Sequence, residues 1–264
     1  MLALPFNQGL ALILLGGFDA RLNGHPIAGI SYSKMRALLA YLAVEREQDH
    51  KREVLAELLW RGNDPKTARG NLRRTLSDLR RALELPTGTV LFSADKHTIR
   101  LNPDLFIDAL EFSAATSCIA APTETHCAPC LAQMEHIAGL YRGEFMAGFS
   151  LPDCPDFEDW LQVQREALQC RALALLEKLS NCHEQFGVYG NALPFALRYT
   201  ELEPWDEAGH RRAMRLYALN GQVSAAIAQY EACCRLLKKE LGALPGEDTR
   251  QLAERIRKGE LAGC

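Results

Sequence analysis

Residues 65–83 read PKTARGNLRRTLSDLRRAL, and this stretch decides the fold. Ala68, Leu72, Leu76, Leu79 and Leu83 recur at spacings of three and four, which predicts a helix with one apolar stripe. The opposite face holds Lys66, Thr67, Gly70, Arg73, Arg74, Ser77 and Arg81, with Arg69 and Arg80 on the near flank. Only Asp78 opposes this positive charge. Asp64 just before the stretch is suited to cap the helix, and Pro65 suits the first helical position, where its missing N–H costs nothing.

A basic face alone is weak evidence of function, because arginine is a good helix former on any solvated surface. The flanking sequence sharpens it. Upstream, residues 33–44 form a helix with Met35, Leu38, Leu39 and Leu42 as its stripe and Ser33 as candidate cap. Residues 52–60 form a second helix that buries Leu55, Leu58 and Leu59, and a tight turn follows. Downstream, Pro86-Thr87-Gly88 breaks the helix, and VLFS (90–93) and HTIRL (97–101) flank Ala94-Asp95-Lys96 as a β-hairpin. Helix, turn, basic helix and hairpin are the order of a helix-turn-helix with a wing. Lys96, His97 and Arg100 belong to that wing. Arginine forks suit phosphates and the guanine edge, Gly70 permits close backbone approach, and Thr67 and Ser77 offer short hydrogen-bonding groups.

Residues 10–27 read as short strands, with Asn23-Gly24 as a hairpin turn because both residues tolerate positive φ. Gly16-Gly17 lacks the rest of any nucleotide fingerprint and reads as a bend or bulge. From Asp108 onward the sequence predicts helices, interrupted at 120–129 and 143–155. A repeat of 34 residues emerges: Gly187 recurs as Gly221, Ala192 as Ala226, Leu193 as Ile227 and Leu202 as Leu236, with Pro204 closing the first unit. This is the tetratricopeptide pattern. Helices around 157–183 and 248–258 are expected to cap so short a stack.

The predicted fold class is therefore mainly α with small β elements. A winged helix-turn-helix domain (1–107) precedes an all-α, tetratricopeptide-like domain (108–264). Charge follows the same division: residues 1–107 hold 15 Lys+Arg against 11 Asp+Glu, and residues 108–264 hold 15 against 22. A basic front and an acidic back suit a polyanion-binding module joined to one that does not bind polyanions.

These blocks resemble a known family. ALLAYLA (37–43) and ARGNLRRTLSDLRRAL (68–83) are similar to the winged-helix domain of the Streptomyces antibiotic regulatory protein family, itself similar to the OmpR DNA-binding domain. LYRGEFMAGFSLPDCPDFEDW (140–160) and GQVSAAIAQYEACCRLLKKELG (221–242) resemble the bacterial transcriptional activator domain that follows it. The resemblance covers residues 10–260. It implies an activator that binds direct repeats in double-stranded DNA and contacts RNA polymerase, with Arg73, Arg74, Ser77 and Arg81 facing DNA. Leu79-Arg80-Arg81 matches the Leu-Arg-Arg run of OmpR-like recognition helices. At the first helix, SYSKM (31–35) stands in place of a more basic Arg-Lys pair, leaving Lys34 or Arg36 for the phosphate contact expected there.

Cys127 and Cys130, beside His126 and with His136 beyond, leave three readings open: packed cysteines at a helix start, a zinc site or a redox pair. A zinc site needs further ligands such as Cys118 or Cys154. No GxSxG, HExxH or Walker A sequence occurs, and no enzyme activity or cofactor is expected. Asp156, Glu158 and Asp159 cluster at a predicted helix start, where acids favour the dipole. With nine cysteines, no basic leader and no long apolar run, a cytoplasmic location with reduced thiols and no membrane contact is expected. The repeat domain is expected to mediate homodimerisation or polymerase contact. The alternatives are an input module of a larger signalling ATPase or cyclase, and a scaffold whose winged helix binds protein.

Overall fold

A computed structural model describes residues 10–83, 92–101, 105–119 and 128–261 of the chain. These fall into two compact units, Met1–Ser117 with Gly139–Leu168, and Cys118–Ala138 with Gln169–Cys264.

In the first unit, strands β1 (Leu10–Ile13), β2 (Asp19–Leu22) and β3 (His25–Pro26) form an antiparallel meander. Asn23 and Gly24 take positive φ (50° and 81°) at the β2–β3 turn, as that dipeptide predicts. Helices α1 (Ser33–Val44), α2 (Arg52–Trp60) and α3 (Pro65–Ala82) follow, with the short strand β4 (His50–Lys51) between α1 and α2. β5 (Phe92–Ala94) and β6 (Thr98–Leu101) make the hairpin, and β4 pairs with β6 to complete a three-stranded sheet. β7 (Phe106–Ile107) returns parallel to β1, with Ala11 opposite Phe106 and Leu12 opposite Ile107.

The predicted stripes supply much of the core of this unit. Met35, Leu38, Leu39 and Leu42 from α1, Leu55 and Leu59 from α2, and Ala68, Leu72, Leu76 and Leu79 from α3 are all buried. Two local expectations fail. The cap of α1 is Tyr32, with no side-chain cap bond, and Ser33 is the first helical residue. Leu58 is only half-buried, because Leu55, Ala56, Leu59 and Trp60 fill the inward face of α2.

Asp108 begins α4 (Asp108–Ile119) and ties distant parts of the unit together. Almost fully buried, it accepts the backbone N–H groups of Leu14 (2.7 Å), Leu15 (3.0 Å) and Ala109 (2.8 Å), and an N–H of Arg142 (3.0 Å). One carboxylate thus satisfies the donors at the end of β1 and at a helix start. Gly16 is a bend, as predicted: its φ is 107°, and its N–H donates to Glu144 O at 3.0 Å.

Residues 139–168 pack within this first unit, although they lie beyond the 107/108 boundary read from the sequence. The reason is an aromatic cluster, in which Trp160 lies 5.0 Å from the Tyr41 ring, 5.9 Å from Phe145 and 5.3 Å from Phe157. Its indole N–H donates to Glu45 (2.9 Å), which satisfies the polar end of this half-buried ring.

In the second unit, α7 (Tyr189–Leu202), α8 (Glu207–Leu219), α9 (Val223–Leu241) and α10 (Glu247–Arg257) form two helical hairpins. Gly187 and Gly221 both take positive φ (71° and 76°) before the first helix of each hairpin, and Ala192 and Ala226 are both fully buried. The period of 34 thus places a glycine turn and a close helix contact in each repeat. Residues 128–138 of α5 (Ala128–Leu140) and the second half of α6 (Pro155–Gln185) belong to the same unit. No helix among the described residues is long and apolar enough to cross a membrane.

Candidate nucleic-acid interface

Helix α3 starts where its sequence says it should. The Asp64 carboxylate accepts the N–H groups of Lys66 (3.0 Å) and Thr67 (3.1 Å), and Pro65 occupies the first turn. The Thr67 side chain and these backbone donors hold the Asp64 carboxyl below its ordinary range. The buried stripe then pins one side of the helix. Thr75 joins it, accepting a bond from Tyr32 Oη at 3.0 Å. Tyr32 Oη also lies 3.3 Å from Asp78, the one acid on the helix.

The outer side is left to solvent. Lys66, Thr67, Arg69, Gly70, Arg73, Arg74, Ser77, Arg80 and Arg81 are all exposed. A Cβ on Gly70 would meet nothing within 4 Å, so internal packing does not require glycine there. Among the described residues, no carboxylate pairs with Arg73, Arg74 or Arg80. Arg81 stands 3.8 Å from Asp78, and Arg69 is shared between Pro65 O and Glu53.

The hairpin beside the helix is held by its own acid. Asp95 Oδ1 accepts the N–H groups of Thr98 and His97, each at 2.6 Å, and these bonds push its pKa down. That turn presents Lys96 and His97 to solvent. Arg100 is half-exposed on the hairpin flank, donating to Glu47 O at 3.2 Å with Asp49 at 3.9 Å.

Two expected phosphate ligands have other partners. Lys34 Nζ is 2.6 Å from Asp153, whose carboxyl this bond holds low, and lies over the Trp60 ring. Arg36 donates to Ile30 O (3.3 Å) and lies over Phe18. The sequence reading missed Arg52, at the first position of α2, which donates its Nε–H to Asp95 O at 3.1 Å. Its position in the run HKRE (50–53), next to a helix start, was the available signal.

Cys127 and His126 lie outside the described residues, as does the side chain of Cys118. Cys130 is exposed on α5, while Cys154 is buried in the first unit with its thiol donating to Leu59 O at 3.2 Å. Among the described residues, no group of three or more His, Cys, Asp or Glu side chains could hold a metal ion.

Comparison with known proteins gives a consistent answer. The family model described as bacterial transcriptional activator domain matches residues 107–257. The transcriptional regulatory protein MoaR1 of Mycobacterium bovis is 27% identical over 257 residues, covering 92% of this chain and 78% of that protein. The regulatory protein AfsR of Streptomyces coelicolor is 26% identical over 247 residues, covering 92% of this chain but 24% of that protein. Among solved structures, Mycobacterium tuberculosis EmbR, in complex with a low affinity phosphopeptide, matches with a TM-score of 0.65 at 23% identity. That match covers 96% of this chain and 65% of the EmbR chain, and it shows the shared fold.

Proposed function

We propose that this chain, which belongs to the bacterial transcriptional activator domain family, is a sequence-specific DNA-binding transcriptional regulator that activates from promoter DNA. The winged helix (1–107) takes the duplex. Helix α3 enters the major groove, with Arg73, Arg74, Ser77 and Arg81 toward base edges and phosphates, and the wing adds Lys96 and His97. The helical repeats (108–264) supply dimerisation or polymerase contact. The operator is a direct repeat, the protein works in the cytoplasm, and its role is not enzymatic.

One observation carries this reading: an arginine-rich helix face that is exposed, anchored on its other side by a buried stripe, and free, among the described residues, of carboxylate partners at Arg73, Arg74 and Arg80. Such a face leaves a positive potential that a polyanion can neutralise. Names of the relatives, transcriptional and regulatory proteins, agree with it.

A footprint on the region upstream of the chain's own coding sequence tests the proposal. Arg73→Ala and Arg74→Ala are each expected to weaken protection and flatten the salt dependence. Full protection by both variants removes α3 from its assigned role. A second reading, an input module of a longer signalling protein, is favoured by the Streptomyces relative, of which the matching region is 24%.

A further inference from the structure

Arg52 sits at the foot of the wing and belongs to none of the groups assigned above. Its backbone N–H donates to His97 O at 2.9 Å and its Nε–H to Asp95 O at 3.1 Å. These bonds fasten the guanidinium beside the wing turn. Its two terminal nitrogens have no partner among the described residues.

Arg52, Arg69, Arg73 and Lys96 line a single cleft of about 290 Å³, with Leu72 and Asp95 as its other walls. Four cationic residues therefore line it beside a single acidic one, Asp95, whose carboxylate is already turned into the hairpin by the N–H groups of His97 and Thr98. Arg69 is partly occupied by Glu53 and Pro65 O, but Arg73 and Lys96 make no ion pair among the described residues. Like charges gathered around one cavity repel unless an anion enters it.

We propose that this cleft is a phosphodiester clasp, which takes one backbone phosphate of the duplex between α3 and the wing, with Arg52 supplying the fork. The inference rests on the DNA-binding reading and deepens it. Arg73 on one wall belongs to the groove-facing side of α3 and Lys96 on the other to the wing turn, so an anion here lies on the path of the duplex backbone. A phosphodiester presents two non-bridging oxygens, which match the paired N–H groups that Arg52 has left. A contact of this kind carries no sequence information. It fixes the register in which α3 reads the groove, so Arg52 is a positioning residue.

The test is a salt titration of binding to a short mixed-sequence duplex, because a phosphate contact is independent of sequence. Arg52→Gln is expected to lower affinity and to reduce the slope of log K against log salt by about one, the change for one lost phosphate contact. Arg52→Lys keeps the charge and is expected to keep most of the slope. A merely structural role in holding the wing predicts the reverse, because lysine loses the Nε bond to Asp95 O as surely as glutamine does. Should Arg52→Gln loosen the hairpin, Lys96→Gln on the opposite wall is expected to give the same loss of slope without touching those bonds. Wild-type protein that fails to bind duplex at low salt overturns the DNA-binding reading and the clasp together. Wild-type binding with an unchanged slope in Arg52→Gln and Lys96→Gln overturns the clasp alone.

Discussion

Helix α3 carries Arg69, Arg73, Arg74, Arg80 and Arg81, and helix α8 of the repeats carries Arg211, Arg212 and Arg215. Both are amphipathic, and a basic face is legible in the sequence of each. Their side chains have different fates. On α8, Arg215 forms a bidentate pair with Glu184 (2.9 and 2.7 Å), Arg212 pairs with Glu177, and Arg211 donates to Thr249 at 3.1 Å. On α3, Arg73, Arg74 and Arg80 have no carboxylate partner among the described residues. Arginine content does not separate an architectural helix from a polyanion-binding one. The pairing does, because a guanidinium already forked onto a carboxylate must break that pair before it can hold a phosphate.

The contrast can be broken most directly on α3. The double variant Arg73→Ala/Arg74→Ala is expected to lose roughly a hundredfold in duplex affinity, with two fewer units of salt slope if both arginines meet phosphates, as read by anisotropy across a salt series. A double variant that binds like the wild type would place α3 in the same class as α8.

The converse substitution acts on stability. Arg215→Ala leaves Glu184 without its partner and is expected to cost about 1 kcal/mol, a modest figure because the pair is partly solvated. That corresponds to about 2–4 °C in Tm, measurable by thermal unfolding, with DNA affinity unchanged. A loss of affinity with no thermal shift would reverse the assignment.

Smaller still is the effect expected from Asp153→Asn. Its carboxylate holds Lys34, whose ammonium lies at the start of α1. Removing that acid is expected to free Lys34 and raise duplex affinity by about two- to fivefold at low salt, an effect that vanishes at high salt.

The least effect comes from acid. Asp64 and Asp95 are ionised hydrogen-bond acceptors with depressed pKa values, so the support they give their turns is present above the ordinary carboxylate pKa and lost as pH falls through the lower folded value. The amide resonances of Thr67 and Thr98 are each expected to titrate with a midpoint below pH 3.8 in nuclear magnetic resonance spectra. Midpoints at or above that value would mean that the caps are not formed in solution.

The bounds of α3, its buried stripe and its exposed basic face were legible in the sequence because everything they need is local. A stripe at spacings of three and four, an Asp-Pro start and an uninterrupted basic face are set within one helix. The Asn-Gly turn and the 34-residue repeat are local in the same sense. Arg52 was missed because its significance depends on the backbone of Asp95, 43 positions away in sequence. Asp108 was missed likewise: its partners Leu14 and Leu15 are 94 and 93 positions distant. Lys34 was legible as a cation at a helix start, but nothing near it in sequence announces Asp153.

By itself, then, the chain of residues determined the elements, their buried faces, the repeat period and the helix that carries the charge, because hydrophobic periodicity and capping act over a few residues. Tertiary structure decided which arginines meet a carboxylate and which, among the described residues, do not. It also decided that residues 139–168 pack through Trp160 onto Tyr41 and Glu45 rather than with the repeats. Those outcomes turn on charges and rings that meet only when distant segments fold together, and Coulomb and packing energies depend on separation in space, not in sequence.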